Sequence, residues 1–87
     1  MRVKVKRMRD AMHPSEVVVL IHTVDGDEKI VVDKKAIEKR DSLEIGWPLK
    51  QQGSSVLIEL PRETQTGSWR VWVPQDELEP DPSMVAA

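Results

Sequence analysis

Two apolar runs, EVVVLIHTV and EKIVVD, lie on either side of the polar sequence DGD and form the clearest pattern in the chain. An Asp-Gly pair supplies the positive backbone angles that a tight β-turn needs. The pattern therefore predicts a β-hairpin over residues 16–33. Its first strand is apolar on both faces: one carries Val17, Val19 and Ile21, and the other carries Val18, Leu20 and Val24. We expect the core to cover one face and a short helix or another subunit to cover the other.

Three further segments alternate with the period of a strand. RVKVKRM, near the start, places Lys4 and Lys6 on one face. Lysines in this pattern are typical of an edge strand, where they hinder pairing with a strand of another molecule. VLIELP directs Val56, Ile58 and Leu60 inward, and the polar loop RETQTG joins it to SWRVWVP. These last two strands are predicted to form a second hairpin.

The strand SWRVWVP contains two of the three tryptophans, and its alternation separates them. Trp69 shares a face with Val71 and Val73, while Trp72 shares the opposite face with Arg70. We therefore interpret Trp69 as a core residue and Trp72 as an interface residue.

The remaining segments are short. DKKAIEKRD predicts one or two helical turns with Asp33 as N-cap and Ile37 as the apolar anchor. SLEIGWPL predicts a short strand that turns at Gly46, with Trp47 held extended because a proline follows it. QDEL predicts a single helical turn that returns Leu78 to the core. The domain is thus expected to span 1–78, with a disordered tail over 79–87.

Composition supports a single all-β domain. The 87 residues include twelve valines but no Phe, Tyr or Cys, and valine fits a pleated sheet better than a helix. We predict a five- to six-stranded curled antiparallel sheet, or a small barrel, with one short helical turn. The longest apolar run, VVVLI, is far shorter than the roughly 20 residues that cross a bilayer. Neither a membrane role nor a signal peptide is expected, and the predicted location is the cytoplasm.

The end of the chain resembles the C-terminal segment of a Src-homology-3 domain. In that family a strand ending in proline is followed by a one-turn helix and a last apolar residue, which correspond here to Val73, Pro74, the turn QDE and Leu78. The resemblance implies a Src-homology-3-like barrel. It does not imply a proline-rich peptide ligand, because the tyrosines and the ALYDY-like segment that form that family's peptide groove are missing.

Residues that support catalysis or metal binding are sparse. The two histidines, His13 and His22, have no acid at metal-ligand spacing, and the DGDE segment runs into a strand rather than a calcium loop. No nucleophile elbow and no glycine-rich phosphate loop is present in the sequence. We therefore expect no enzyme activity, no cofactor and no metal.

The favoured interpretation is an interaction module that self-associates, with a dimer favoured, or binds another protein. Its expected contact residues are Trp72, Arg70, Trp47, Arg62, Val17, Val19 and Ile21. The alternative is a single-stranded nucleic-acid-binding barrel in which Trp72, Arg70 and Arg62 meet the bases while Arg2, Lys4 and Lys6 follow the phosphates. A net charge of −2 weakens the alternative. The basic first nine residues and the acidic DELEPD at 76–81 are expected to attract each other within a subunit or between subunits.

Overall fold

A computed structural model describes residues 1–37 and 41–79. The elements in this part of the chain are β1 (Arg2–Lys4), β2 (Lys6–Asp10), β3 (Glu16–Thr23), β4 (Gly26–Asp33), α1 (Lys34–Ile37), β5 (Ser42–Glu44), β6 (Lys50–Gln52), β7 (Ser55–Glu59), β8 (Arg70–Pro74), a 3-10 helix (Gln75–Glu77) and β9 (Leu78–Glu79). The strands form three antiparallel sheets in the orders β5–β1–β9, β2–β3–β4 and β6–β7–β8.

The predicted all-β class is confirmed, but its details differ. Nine short strands replace the expected five or six, and the three sheets of the described residues do not close into a barrel. One reason is that the first predicted strand is divided at Val5, where the chain passes from one sheet to the next. The Val5 N–H donates to the carbonyl oxygen of Asp41 at 3.0 Å, which continues the register of β1 and β5 by one residue before β2 begins in the next sheet.

The predicted 16–33 hairpin is present, with β3 and β4 paired from Glu16–Asp33 to Thr23–Gly26. Gly26 has a φ of 122°, a conformation that residues with a Cβ rarely adopt. The pairing of Thr23 with Gly26 makes Val24 and Asp25 the two-residue turn, one position earlier than the predicted Asp25–Gly26 pair, and Gly26 is the first residue of the returning strand.

The face of β3 that carries Val17, Val19 and Ile21 is the inner one. These side chains are 4%, 0% and 0% exposed and pack in the same cluster as Ile30 and Val32 of β4. The sequence placed all three among the contact residues. Since they form the centre of the core, any exposed contact surface must lie elsewhere.

The core receives side chains from all three sheets and from α1. Its buried members are Val3, Val5, Val17, Val19, Ile21, Ile30, Val32, Ile37, Leu43, Ile45, Val56, Ile58, Leu60, Val71 and Val73. The inward faces predicted for VLIELP and SWRVWVP therefore hold at the valine, isoleucine and leucine positions. At α1, the Lys35 N–H donates to Oδ1 of Asp33 at 2.9 Å, as expected of the predicted N-cap.

The end of the fold follows the predicted order of elements. β8 ends at Pro74, the 3-10 helix follows, and Leu78 packs against the core. β9 pairs with β1, which places Glu79 opposite Arg2. The two ends of the described chain thus pair within one subunit, and Glu79 belongs to a sheet rather than to the predicted tail. Residues 80–87 of that tail, and 38–40 of the predicted helical segment, lie outside the described residues.

The only helix-forming stretches of the described residues are α1 and the 3-10 helix, with four and three residues. No helix in this part of the chain has the length and apolar character needed to cross a membrane.

Candidate interaction groove

A surface groove of about 1030 Å³ lies where α1, β5 and the segment before β6 approach the end of β7. Its apolar lining is Ala36, Leu43, Ile45, Trp47, Leu49, Leu60 and Pro61. Four charged residues also line it: Arg2, Lys35, Glu44 and Glu59. The volume is just above the range of roughly 300 to 1,000 Å³ that ligand sites occupy, and the surface of the groove is divided almost evenly between polar and apolar atoms.

Large apolar side chains are exposed at this end of the molecule. Trp47 is 70% exposed and Leu49 is 45% exposed, and both line the groove. Trp47 lies at a bend in the chain, outside any strand, and β6 begins only at Lys50. The side chains therefore project from a connecting segment that the core does not cover.

Trp69, immediately before β8, lies close to one wall of this groove. Its carbonyl oxygen accepts the Leu60 N–H at 2.8 Å, and Leu60 is part of the groove wall. The prediction that Trp69 is a core residue was wrong, because its side chain is 52% exposed. Alternation does place it on the side of Val71, but it precedes the first residue of β8, beyond the region where the core is closed.

Trp72 lies on the opposite face of β8, as the alternation predicts, and is half-buried. It stands directly opposite Leu57 of β7, with Lys50 of β6 next in the same row. Its carbonyl oxygen accepts the N–H of Val24 at 2.8 Å, which joins the end of β3 to β8. The ring therefore covers Leu57 on the outer face of a sheet, and its role in an interface stays a prediction.

The arginines expected to bind a partner are engaged within the fold. Arg62 pairs with Glu16 at the start of β3, and Nη2 of Arg70 lies 3.9 Å from Oε2 of Glu59. Arg2 donates from Nε to Oγ of Ser42 at 2.7 Å, and from Nη2 to the carbonyl oxygens of Ser42 and Ala36. Arg62 and Arg2 thus already have hydrogen-bond acceptors, and Arg70 has a carboxylate within ion-pair distance.

These positions also separate the residues proposed for nucleic-acid binding. Arg70 and Trp72 share one face of β8, but Arg62 reaches to β3 and Trp47 lies in the groove. Lys4 and Lys6 are exposed, on strands of two different sheets. No continuous line of stacking rings and free cations is formed by this set.

The histidines contact single partners. Nδ1 of His22 lies 2.8 Å from Oδ1 of Asp27, across the hairpin. That hydrogen bond raises the pKa of His22 above its usual value, and the charges of Asp27, Glu77 and Asp76 add to the effect while desolvation opposes it. Within residues 1–37 and 41–79, no group of three His, Asp or Glu side chains could hold a metal ion.

His13 contacts the hydroxyl of Ser15, with Nδ1 and Oγ 2.6 Å apart. Both residues are exposed in the loop between β2 and β3. A nucleophilic pair of this kind needs a third group that orients the imidazole and a site for the developing oxyanion. No carboxylate hydrogen-bonded to His13 is found among the described residues.

The groove itself was not anticipated from the sequence. Trp47 was named as a contact residue, but Leu49, Pro61 and the exposed Trp69 were not. The signal for Leu49 was present in the chain, since the Pro48 ring interrupts strand formation and leaves its neighbours outside a ladder. The position of Trp69 depends on where β8 begins, which the local alternation does not specify.

Comparisons of this chain with protein-family models, with curated proteins and with solved structures find no match.

Proposed function

We propose that this chain is a non-enzymatic interaction module that forms a homodimer, with Trp47 of each subunit inserted into the groove of the other. The observation that carries the proposal is the position of Trp47, a 70% exposed tryptophan beside a groove of about 1030 Å³ that is lined by both apolar and charged residues. Tryptophan is among the residues most enriched at the energetic centres of protein interfaces.

The groove and its exposed side chain suit a symmetric pair. In a two-fold dimer the same patch contacts itself, so a projecting residue must lie beside the cavity that receives its copy. Trp47 and the groove satisfy this requirement because the residue lines the cavity from which it projects.

The charges around the groove support a second copy as the occupant. Two cations, Arg2 and Lys35, and two anions, Glu44 and Glu59, line it. A surface with equal numbers of both signs can face itself without net repulsion. A strongly basic or strongly acidic partner would gain little net electrostatic attraction from a groove in which the two signs are balanced.

The single-stranded nucleic-acid alternative receives less support. Base stacking needs a ring and a positive field together, whereas Arg62 and Arg70 pair with carboxylates and Trp72 is half-buried. We therefore retain it only as an outcome of the experiment that follows.

Light scattering coupled to size-exclusion chromatography tests the dimer over a wide concentration range. The unmodified chain is expected to elute as a dimer at high concentration, and Trp47→Ala is expected to weaken association by about 2 kcal/mol or more. Val24→Ala is the matched control, because Val24 is 52% exposed and lies away from the groove.

Two results would contradict the proposal. One is a dimer whose dissociation constant is unchanged by Trp47→Ala. The other is a monomer at every concentration, after which titration with a labelled single-stranded oligonucleotide would decide whether the nucleic-acid alternative replaces it. Circular dichroism of Trp47→Ala establishes that a loss of association is not a loss of folding.

A further inference from the structure

The outer face of the β2–β3–β4 sheet combines an apolar centre with cations. Two rows cross this face. The first is Lys6, Leu20 and Lys29, and the second is Arg9, Val18 and Val31. Residues directly opposite each other in antiparallel strands project to the same side. Because Val17, Val19 and Ile21 point into the core, both rows point outward.

The β-bulge in β2 produces this arrangement. Strict alternation from Lys6 would direct Met8 to the outer face and Arg9 to the inner one. The register shifts between Arg7 and Arg9, so that Arg9 stands opposite Val18. The bulge thus brings a second cation of β2 onto the face that already carries Lys6.

These cations differ from Arg62 and Arg70, each of which pairs with a carboxylate. Among the described residues, Lys6, Arg9 and Lys29 form neither an ion pair nor a side-chain hydrogen bond. The acids at the two ends of the face are engaged elsewhere: Glu16 pairs with Arg62, Asp27 pairs with His22, and Asp33, opposite Glu16, accepts the Lys35 N–H. The middle of the face therefore carries three uncompensated positive charges.

The centre of the face is only partly open. Val18 is 3% exposed, while Leu20 and Val31 are half-buried. Lys29 is also half-buried, as expected when an aliphatic stem lies along an apolar surface and its ammonium group remains in water. Neighbouring strands are about 4.8 Å apart, so the backbones of Lys6 and Lys29 lie roughly 10 Å apart on either side of Leu20.

We propose that this cationic face is a docking surface for an acidic protein segment in which carboxylates flank a large apolar side chain. The apolar residue contacts Leu20 and Val31, and the carboxylates meet Lys6, Arg9 and Lys29. Charge complementarity selects the partner, and burial of the lysine stems and Leu20 adds an apolar contribution.

An acidic protein segment fits this face better than nucleic acid does. Single-strand binding depends on aromatic rings beside the cations. The tryptophan bonded to this sheet is Trp72, through Val24, and the His22–Asp27 pair lies between Val24 and the cationic rows. Phosphates could contact the cations, but the bases would find no ring in the two rows.

Titration followed by NMR tests the proposal with a synthetic peptide in which Glu alternates with Leu. The matched peptide carries Gln in place of every Glu. The acidic peptide is expected to shift amide resonances of β2, β3 and β4, with an affinity that falls as the salt concentration rises. The Gln peptide is expected to bind at least about tenfold more weakly, since it lacks the charges that oppose the cations.

Charge-reversal variants identify which cations contribute to binding of the acidic peptide. Lys6→Glu and Lys29→Glu are each expected to weaken binding of the acidic peptide by about tenfold or more. Lys50→Glu changes the net charge equally but lies on β6, so it is expected to leave the affinity within about twofold. Lys6→Gln provides a milder variant if Lys6→Glu disturbs the sheet.

Three outcomes would overturn the proposal: equal binding of the two peptides, equal effects of Lys6→Glu and Lys50→Glu, or tighter binding of a single-stranded oligonucleotide or an anionic vesicle at the same face. The proposed acidic-segment surface is independent of the proposed Trp47-mediated dimer. The Trp47→Ala variant should bind the acidic peptide with the same affinity as the unmodified chain. Each proposal can therefore be tested even if the other fails.

Discussion

Arg2 and Ser42, which are 40 positions apart in the chain, are joined by two hydrogen bonds. Nε of Arg2 donates to Oγ of Ser42 at 2.7 Å, and Nη2 donates to the carbonyl oxygen of Ser42 at 2.7 Å. Nη2 also reaches the carbonyl oxygen of Ala36 at 3.2 Å. One guanidinium therefore connects β1, β5 and α1, and it satisfies a serine that is only 1% exposed.

Arg2→Lys is expected to destabilise the fold by about 1 to 3 kcal/mol. An ammonium group cannot reproduce the fixed donor geometry of the guanidinium, and a buried oxygen that loses its donor costs an amount of this order. Urea unfolding measures the change. Lys4→Gln, at an exposed position on the same strand, should alter the unfolding free energy by less than about 0.5 kcal/mol. Equal losses in the two variants would contradict a structural role for the Arg2 donors.

Trp69→Ala is expected to cost only about 1 to 2 kcal/mol of folding stability, because half of the side chain already contacts water. Ile21→Ala, at a fully buried position, should cost about 2 to 5 kcal/mol. Unfolding of both variants in urea under one set of conditions gives the comparison. A larger loss of unfolding free energy for Trp69→Ala than for Ile21→Ala would show that Trp69 is a core residue after all.

Gly26→Ala is expected to destabilise the hairpin by about 1 to 3 kcal/mol through backbone strain alone. A Cβ at this position meets no atom within 4 Å, but the φ of 122° is one that alanine rarely adopts. Gly46→Ala is the matched control, since its surroundings are equally open and its φ lies outside that region. The midpoint of thermal unfolding should fall for Gly26→Ala and remain almost unchanged for Gly46→Ala.

The His22–Asp27 pair predicts a pH dependence with a definite sign. The folded-state pKa of His22 is raised by the hydrogen bond to Asp27, so the protonated form favours the folded state. The contribution is complete below the unfolded-state pKa of about 6.5, and it is lost as the pH rises through the folded-state value. An NMR titration of the imidazole should give a pKa above the ordinary one. Asp27→Asn should lower it, and an unchanged titration in that variant would exclude Asp27 as the cause.

Much of the fold follows from local patterns in the sequence. The hairpin over 16–33, the cap at Asp33, and the inward positions of Val56, Ile58 and Leu60 were all predicted, although the turn of the hairpin lies one residue before the predicted Asp-Gly pair. These features depend on residues a few positions apart, where backbone geometry fixes the direction of each side chain. The same rule separated Trp72 from Val71 and Val73 correctly.

The surfaces were harder to predict because they depend on distant residues. Alternation gives the face of Trp69, but its exposure depends on where β8 and the core end. Arg62 was expected to meet a ligand, whereas the fold places Glu16, 46 positions away, within reach of it. Local patterns carry no information about which carboxylate a long side chain will meet.

By itself, the sequence determined an all-β domain, its central hairpin and the division of most strands into inner and outer faces, since these follow from the two-residue period of a strand. Only the tertiary structure decided which face of β3 enters the core, that Arg9 joins Lys6 on the outer face, and that Trp47 stands beside a groove. The physical reason is that register, bulges and the packing of three sheets against one another are set by contacts between residues far apart in the chain. Those contacts decide which charges are neutralised and which apolar side chains stay exposed.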